Sequence, residues 1–382
     1  MYQSKVALIN CNDYGEGRVY TAVKRGITLL GGVSKFAKPN EKIVMKPNVL
    51  IGSNPEKCVT THPAVMKAVG HLLQEAGAVV SYGDSPAFGG CESNMKRAGL
   101  KQVGDESGFT LADFNHGREV SHKTALLNKK FVIANGILDA DGVVSLPKLK
   151  THGLTRFTGA VKNQFGCVPG ILKGQFHVKM ADPYNFATVL VDLNTFIRPR
   201  LYVMDGVIAM EGNGPRNGTP RQMNVLLLST DPVALDAVAC RMIGLNPEFV
   251  PTSKPGEKSG LGTYHYENIE MVGDSAESFI VRDFKVTRKP PIRATAGRLR
   301  VFTRNRVVPR PVIDRTMCND CGTCIKMCPV GPSALDWILH EAGKSPKHDY
   351  GHCIRCYCCQ ETCPEGAIVI QNPILGRLLF RS

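Results

Sequence analysis

The chain has 382 residues, 43% apolar and 21% charged, with 47 Lys and Arg against 33 Asp and Glu for a net charge of +14. That length carries about two to three domains and a full core without disulfide staples, and no run approaches the roughly 18 apolar residues of a membrane span. A transmembrane protein, a disordered chain and a small disulfide scaffold are excluded; the N-terminal MYQSKVALINC lacks the apolar stretch and cleavage site of a secretory signal, so a cytoplasmic location is expected.

Residues 1–285 alternate strand-like and helix-like segments. Val6–Cys11, Lys42–Lys46 and Val79–Tyr82 predict short apolar strands, with helical periodicity over Tyr20–Leu30 and His62–Ala76. Further along, Phe131–Ala134, Gly142–Leu146, Leu201–Met204, Asn224–Leu228 and Ile269–Val272 predict strands, and Tyr184–Ile197 and Pro232–Ile243 predict helices. Gly31, Gly32 and Gly77 mark helix ends. Such alternation argues for an α/β domain with a mostly parallel, helix-covered sheet. In such sheets, sites form outside the carboxyl ends of the strands.

Those loops hold the unusual polar residues. Lys46 and Asn48 follow one strand and lead to His62 at a helix start; Asp84 follows the next; Lys148, Lys150 and His152 follow a third. Lys162 and Asn163 continue a short helix, Asp205 follows a fourth strand, and Glu211, Gly212 and Gly214 come shortly after. Asp231 reads as a helix N-cap. Any one of these is ordinary: a lone histidine is more often structural, and a lysine more often solvated. Their repetition at strand ends is not. If the loops converge, Lys46, Lys148, Lys150 and Lys162 form a cationic pocket for an anionic group. His62 and His152 are then candidates to move protons. Lys148, His152, His62 and Lys162 are the expected catalytic residues. Lys46, Asn48, Lys150, Asn163, Asp84, Asp205, Glu211, Gly212 and Gly214 are the expected substrate-binding set. Gly212-Asn213-Gly214 offers backbone N–H groups to a phosphate or carboxylate, although it matches no nucleotide fingerprint. A divalent cation held by Asp84, Asp205 and Glu211 is the minor alternative. Cys11, Cys58, Cys91, Cys167 and Cys240 have no ligand spacing and read as buried thiols.

Residues 286–311 read as a basic, proline-containing linker. Between Arg282 and Arg310 stand ten Lys and Arg against the single acid Asp283. A solvated connector wrapping the C-terminal part of the chain, or a docking patch for a protein partner, is the expected role. Peripheral contact with an anionic membrane surface stays open. Nucleic acid is disfavoured, because no recognition motif or aromatic stacking series accompanies the charge.

Nine of the 14 cysteines fall between Cys318 and Cys363. Cys318, Cys321, Cys324 and Cys328-Pro329 give C-x2-C-x2-C-x3-C-P, and Cys353, Cys356, Cys359 and Cys363-Pro364 repeat it. This is the spacing of a bacterial two-cluster ferredoxin. Three thiolates on one tight loop reach three corners of an iron–sulfur cube, and the fourth ligand crosses from the other half. Cys318, Cys321, Cys324 and Cys363 are therefore assigned to one [4Fe–4S] cluster, and Cys353, Cys356, Cys359 and Cys328 to the other. Zinc is the competing reading, but zinc sites lack the third x2-spaced Cys and the crossing fourth ligand. Cys358 reads as a free thiol beside a cluster. Val312–Asp314 is the expected opening strand, and 340–352 a polar surface insertion. The whole is an α/β fold plus a small α+β ferredoxin-like two-cluster domain at 312–382.

The strings KPNVLIG, GDSPAFGG, LPKLKTH, GAVKNQFG, MDGVIAMEGNGP and STDPVALDAVA, with CIRCYCCQETCP at 353–364, resemble the domain of unknown function 362 family of bacteria and archaea. The resemblance covers nearly the whole chain. It implies an α/β domain fused to a 2[4Fe–4S] module in mostly anaerobic microbes, and it implies no substrate.

Electron transfer is the leading expectation, in two versions. In one, the large domain is a reductase site for an anionic small molecule, with the clusters supplying electrons and Lys or His supplying charge and protons. In the other, it is an adapter for a redox partner protein. An iron–sulfur regulator or sensor is a third class; ligand sets complete in duplicate favour a wire. A large basic cavity facing the clusters would support the reductase, and a filled, flat strand-end face the adapter.

Overall fold

The structure is a computed structural model describing residues 4–170, 172–293, 298–340 and 343–379. Parts of the N-terminal stretch (1–3), the basic linker (294–297), the insertion (341–342) and the C-terminal domain (380–382) thus lie outside the described residues. No helix among the described residues is long and apolar enough to cross a membrane.

The large domain contributes strands β1 (Ser4–Asn10), β2 (Lys42–Pro47), β3 (Val79–Tyr82), β4 (Thr110–Leu111), β5 (Gly117–Ser121), β6 (Lys130–Ala134), β7 (Gly142–Leu146), β8 (Lys148–His152), β9 (Arg156–Phe157), β10 (Leu201–Glu211), β11 (Thr219–Ser229) and β12 (Ile269–Gly273). The main path of the sheet runs β12-β1-β11-β10-β7-β2-β3-β4. Only β11 opposes its neighbours on that path; the other pairings are parallel. The α/β expectation therefore holds. Strand β7, GVVSL, is buried along its whole length, as a central parallel strand covered on both faces requires.

Three covering helices start where their sequences say, whereas the first, expected from Tyr20, already begins at Glu16. Pro63–Glu75, Pro183–Ile197 and Pro232–Met242 each place proline in the first turn behind a capping side chain. The His62 ring accepts from Ala64 N–H, Asp182 from Tyr184 and Asn185, and Asp231 from Val233 and Ala234. The helix Glu16–Leu29 lies so close to β11 that a Cβ on Gly26 would collide with Leu228.

Three segments differ from expectation. Phe131–Ala134 is a strand, but β6 pairs with β5 in a separate two-stranded ribbon. Strand β10 does not stop at Met204. It shifts register between Gly206 and Ile208 and continues to Glu211. The stretch after Pro147, read as a loop, is strand β8, paired parallel to that extension with Lys148 opposite Asp205 and Lys150 opposite Met210. All five residues of β8 are buried.

In the cysteine-rich part, β13 (Arg310–Ile313) pairs antiparallel with β16 (Ile368–Gln371). Arg310 already belongs to the opening strand. β14 (Leu335–His340) and β15 (Gly343–His348) form a hairpin where a surface insertion was expected. Its anchor, Leu335, packs among Cys324, Cys359 and Cys363. Arg298–Val307 is helical, as is Ile374–Leu379.

Candidate functional site

The eight repeat cysteines divide into two sets of four. Cys318, Cys321, Cys324 and Cys363 line one small cavity; Cys328, Cys353, Cys356 and Cys359 line a second. This partition is the crossed one given by the spacing. Each loop is curled at the same two positions. Asp320 and Gly322 in the first half, and Arg355 and Tyr357 in the second, have φ between 56° and 70°. Left-handed backbone at a tyrosine and an arginine needs support. Tyr357 donates its hydroxyl hydrogen to Pro309 O at 2.8 Å, and Arg355 reaches Asn305 Oδ1 and Cys353 O. A His348 ring nitrogen lies 3.5 Å from Cys359 Sγ. Four soft thiolates around each cavity are the donor set of a [4Fe–4S] cluster. The outer set is the more accessible, with Cys321 exposed and Cys318 half-buried, whereas Cys353, Cys356 and Cys359 are buried.

The dicluster module is fastened to the sheet. On its helix Cys358–Thr362, the Gln360 side-chain amide donates to Asn213 O, Asn213 Oδ1 and Gly214 O. Arg216 donates to Thr362 O, Asn217 to Cys363 O, and Asn213 to Ile368 O. The glycine-rich stretch after β10 is thus a clamp for the module. Gly212 N–H donates to Lys285 O, Gly212 O accepts from Thr151, and Glu211 accepts from Lys285 N–H.

A cavity of about 970 Å³ lies between the sheet's strand ends and the module. Of the expected residues, Lys46, Asn48, Asp84, Lys150, Lys162 and Asn163 line it. Lys46 Nζ pairs with Asp84 Oδ1 at 2.7 Å and donates to Asn163 Oδ1 at 3.0 Å. Asn163 is fixed in turn by Lys46 O and Ser145 Oγ. Gly166 makes this packing possible, since a Cβ there would overlap Asp84 Oδ1 and stand 2.7 Å from Lys46 Nζ. Lys150 Nζ donates to Val59 O at 2.6 Å. Burial, with the charges of Lys162 and Lys148, pushes the Lys150 ammonium well below its ordinary pKa. Lys162 makes no hydrogen bond or ion pair among the described residues and lies over the Phe165 ring. Burial lowers its pKa as well.

Other residues complete the cavity, and apart from Cys328 and Cys358 the sequence had not singled them out. Lys173 Nζ donates to Ser85 O, Ser85 Oγ and Val168 O, and burial pulls its pKa down to about 7. His177 stacks on Phe186, and burial lowers it to about 4. From the module come Lys326, Cys328, Cys358 and Glu361. Cys328, a ligand of the inner thiol set, is therefore also a cavity wall. Asn48 Oδ1, Thr158 Oγ1 and His177 Nδ1 are buried without a hydrogen-bond partner. Buried polar atoms left unpaired beside a cavity are free to meet a ligand.

The remaining expected residues stand elsewhere. Lys148 Nζ contacts Asp205 Oδ2 at 2.7 Å and Tyr14 Oη at 2.9 Å, while Tyr14 donates to Asp205 Oδ1. His62 stacks on Tyr14 at 3.6 Å and donates its backbone N–H to Asp205. Burial lowers the His62 imidazole to about 4. None of these four lines the large cavity, so the chain has two polar clusters where one was expected. Asp84, Asp205 and Glu211 are likewise apart, each engaged by a different partner. His152 lies behind the cavity wall. Its Nδ1 accepts from Leu154 N–H, which places the ring proton on Nε2, 3.1 Å from Glu361 Oε1. Burial holds this imidazole down to about 4.

Known proteins match both parts. Residues 310–367 match the family described as 4Fe-4S dicluster domain. The thylakoid-associated protein sll1697 of Synechocystis sp. is 35% identical over 257 residues, covering 67% of this chain and 79% of that protein. An uncharacterized ferredoxin of Methanocaldococcus jannaschii is 40% identical over 60 residues, which are 16% of this chain and 75% of that protein. Among solved structures, the lactate racemase apoprotein from Thermoanaerobacterium thermosaccharolyticum aligns with a TM-score of 0.40 at 11% identity, over 63% of this chain and 56% of its own. Residues 43–241 match the family described as Domain of unknown function (DUF362), and the chain belongs to it, joined to a C-terminal ferredoxin-type module that carries two [4Fe–4S] clusters and with them an electron-transfer capacity.

Proposed function

We propose that this protein is a ferredoxin-fused oxidoreductase acting on an anionic small molecule held between the sheet and the module. One observation carries the reading: Cys328, a ligand of the inner thiol set, lines the same cavity as Lys46, Lys150, Lys162 and Lys173. At these thiols, two clusters supply electrons one at a time. The lysines bind the anion and offset the negative charge that builds on it during reduction. Asn48 and Asn163 orient it, and the buried Phe165 ring keeps water from one side. Lys162, whose ammonium meets no protein acceptor, holds a proton at Nζ for the reduced product. The accessible outer thiols suit contact with a soluble redox partner in the cytoplasm. An adapter without a site needs neither a cavity of this size nor unpaired polar atoms beside it.

The test uses the anaerobically reconstituted full chain, reduced with dithionite and mixed with a panel of small carboxylates and phosphate esters. One anion class is expected to restore the oxidised cluster absorbance, and Lys162→Met to abolish that recovery with iron content unchanged. If no anion reoxidises the protein, or Lys162→Met retains the wild-type rate, the enzyme reading fails.

A further inference from the structure

The two helices at the base of the module form a surface that the cavity does not use. Because Arg310 of β13 stands opposite Gln371 of β16, the helix Arg298–Val307 before one strand and Ile374–Leu379 after the other share one end of the ribbon. They meet at Gly376, where a Cβ would run into the Val307 carbonyl. Their outer side is apolar. Phe302 is 57% exposed, Ile374 77%, Leu375 45% and Leu378 52%. A soluble surface seldom gathers so many large apolar side chains without a partner.

The sequence of the two helices and their flanks carries charge of one sign. Residues 298–310 contain five arginines and residues 371–382 two more, with no acid in either stretch. Arg306 lies 3.3 Å over the Phe302 ring. Arg304 is turned inward onto Tyr350 O and Gly351 O and fixes the first helix to the module. Arg306 and the exposed apolar side chains thus share one face of the helix pair.

We propose that this helix pair seats the protein on an anionic bilayer surface, with Phe302, Ile374, Leu375 and Leu378 in the headgroup–acyl boundary and the arginines on lipid phosphates. Amphipathic helices with basic flanks bind in this way, and each basic residue near such a surface contributes about a fivefold gain in partitioning. A second copy of the chain would bring the same positive charge to the patch, so self-association is opposed where an anionic surface is attracted. The far end of the ribbon, Ile313 opposite Ile368, leads to the outer thiols. Seating therefore leaves the accessible Cys321 end free for a soluble partner.

The experiment is co-sedimentation of the reconstituted full chain with vesicles of phosphatidylcholine, alone or mixed with phosphatidylglycerol, at low and high salt. Retention on the mixed vesicles only, reversed by salt, is expected. Phe302→Ser with Ile374→Ser should weaken it at least about tenfold, and Arg306→Gln about fivefold. Iron content and visible spectrum report whether each variant is folded. Equal retention on neutral vesicles, none on either, or wild-type retention by the folded double variant would overturn the proposal. So would a concentration-dependent dimer, lost in the double variant, without vesicle binding.

Discussion

His152 Nε2 stands 3.1 Å from Glu361 Oε1, both buried, so a strand of the α/β sheet and a helix of the dicluster module meet through a neutral imidazole and a carboxylate. Burial alone would raise the Glu361 carboxyl. The His152 ring N–H and the nearby Lys162 charge outweigh it and hold the carboxyl below its ordinary range. Two residues from Cys359 and two from Cys363, Glu361 ties cluster ligation to the shape of the cavity.

The neighbouring Gln360 makes this seam testable. Its amide serves three acceptors on Asn213 and Gly214. Gln360→Ala leaves them unmet and should lower stability by roughly 1–3 kcal/mol. Gln360→Glu should cost more, because a carboxylate would face those oxygens with no hydrogen to offer. Thermal melting of the reconstituted chain reads both; equal stability of the alanine variant would show that the clamp contributes nothing.

Much of the fold was legible because its signals are local. Asp231-Pro232 announces a helix start through one side chain and one ring, and β7 announces a covered strand through unbroken apolarity. The crossed cysteine sets were legible because a cube demands fixed spacing. Strand β8 was not. KLKTH looks like a loop, and it is buried only because Asp205 and Val59 O, from distant elements, accept from its lysines. Glu361 was hidden for a similar reason: inside a cysteine repeat it reads as a spacer, and its role exists only once the module docks. Lys173 and His177 belong to a helix with no motif. Lys148 and Lys150, two residues apart and so due on one face of a regular strand, part company where the pairing of β8 with β10 shifts register between Asp205 and Met210, which no loop reading could foresee.

Gly166→Ala should close the floor of the cavity. The new methyl would overlap Asp84 Oδ1 and press on Lys46 Nζ. A loss of about 1–3 kcal/mol is expected for such overpacking, together with loss of anion-driven reoxidation. Gly174→Ala is the control. Its Cβ meets Pro329 at an ordinary 3.5 Å inside a helix, so stability should rise by about 0.5–1 kcal/mol. Parallel melting curves check both, and a Gly166→Ala protein as stable as wild type would contradict the packing.

Lys173 predicts a pH dependence. Burial, assisted by Lys46 and Lys162, lowers its pKa to about 7, while Asp84 opposes the fall. The unfolded chain keeps the ordinary lysine value, so between these limits the unfolded state binds more protons. Stability should then rise with pH from about 7 towards 10, by up to ~1.4 kcal/mol per unit, and lose that gain as pH falls back towards 7. Lys173→Met should flatten this part of the profile. Melting temperatures measured across that range decide it; parallel profiles for the two proteins would mean that Lys173 is not the group responsible.

Cys328→Ser separates the two thiol sets. Cys328 lies between Cys324 and Pro329 in sequence but lines the cavity of Cys353, Cys356 and Cys359. The substitution should therefore damage the second half's cluster and spare the first, leaving roughly four irons per chain in place of about eight. It also removes the one repeat thiol that lines the large cavity, so reoxidation by a bound anion should fail while the outer set still takes up an electron. Iron and sulfide analysis with electron paramagnetic resonance distinguishes the sets. Loss of the Cys318, Cys321, Cys324 and Cys363 signal instead would reverse the crossed assignment, and with it the identity of the cluster beside the anion.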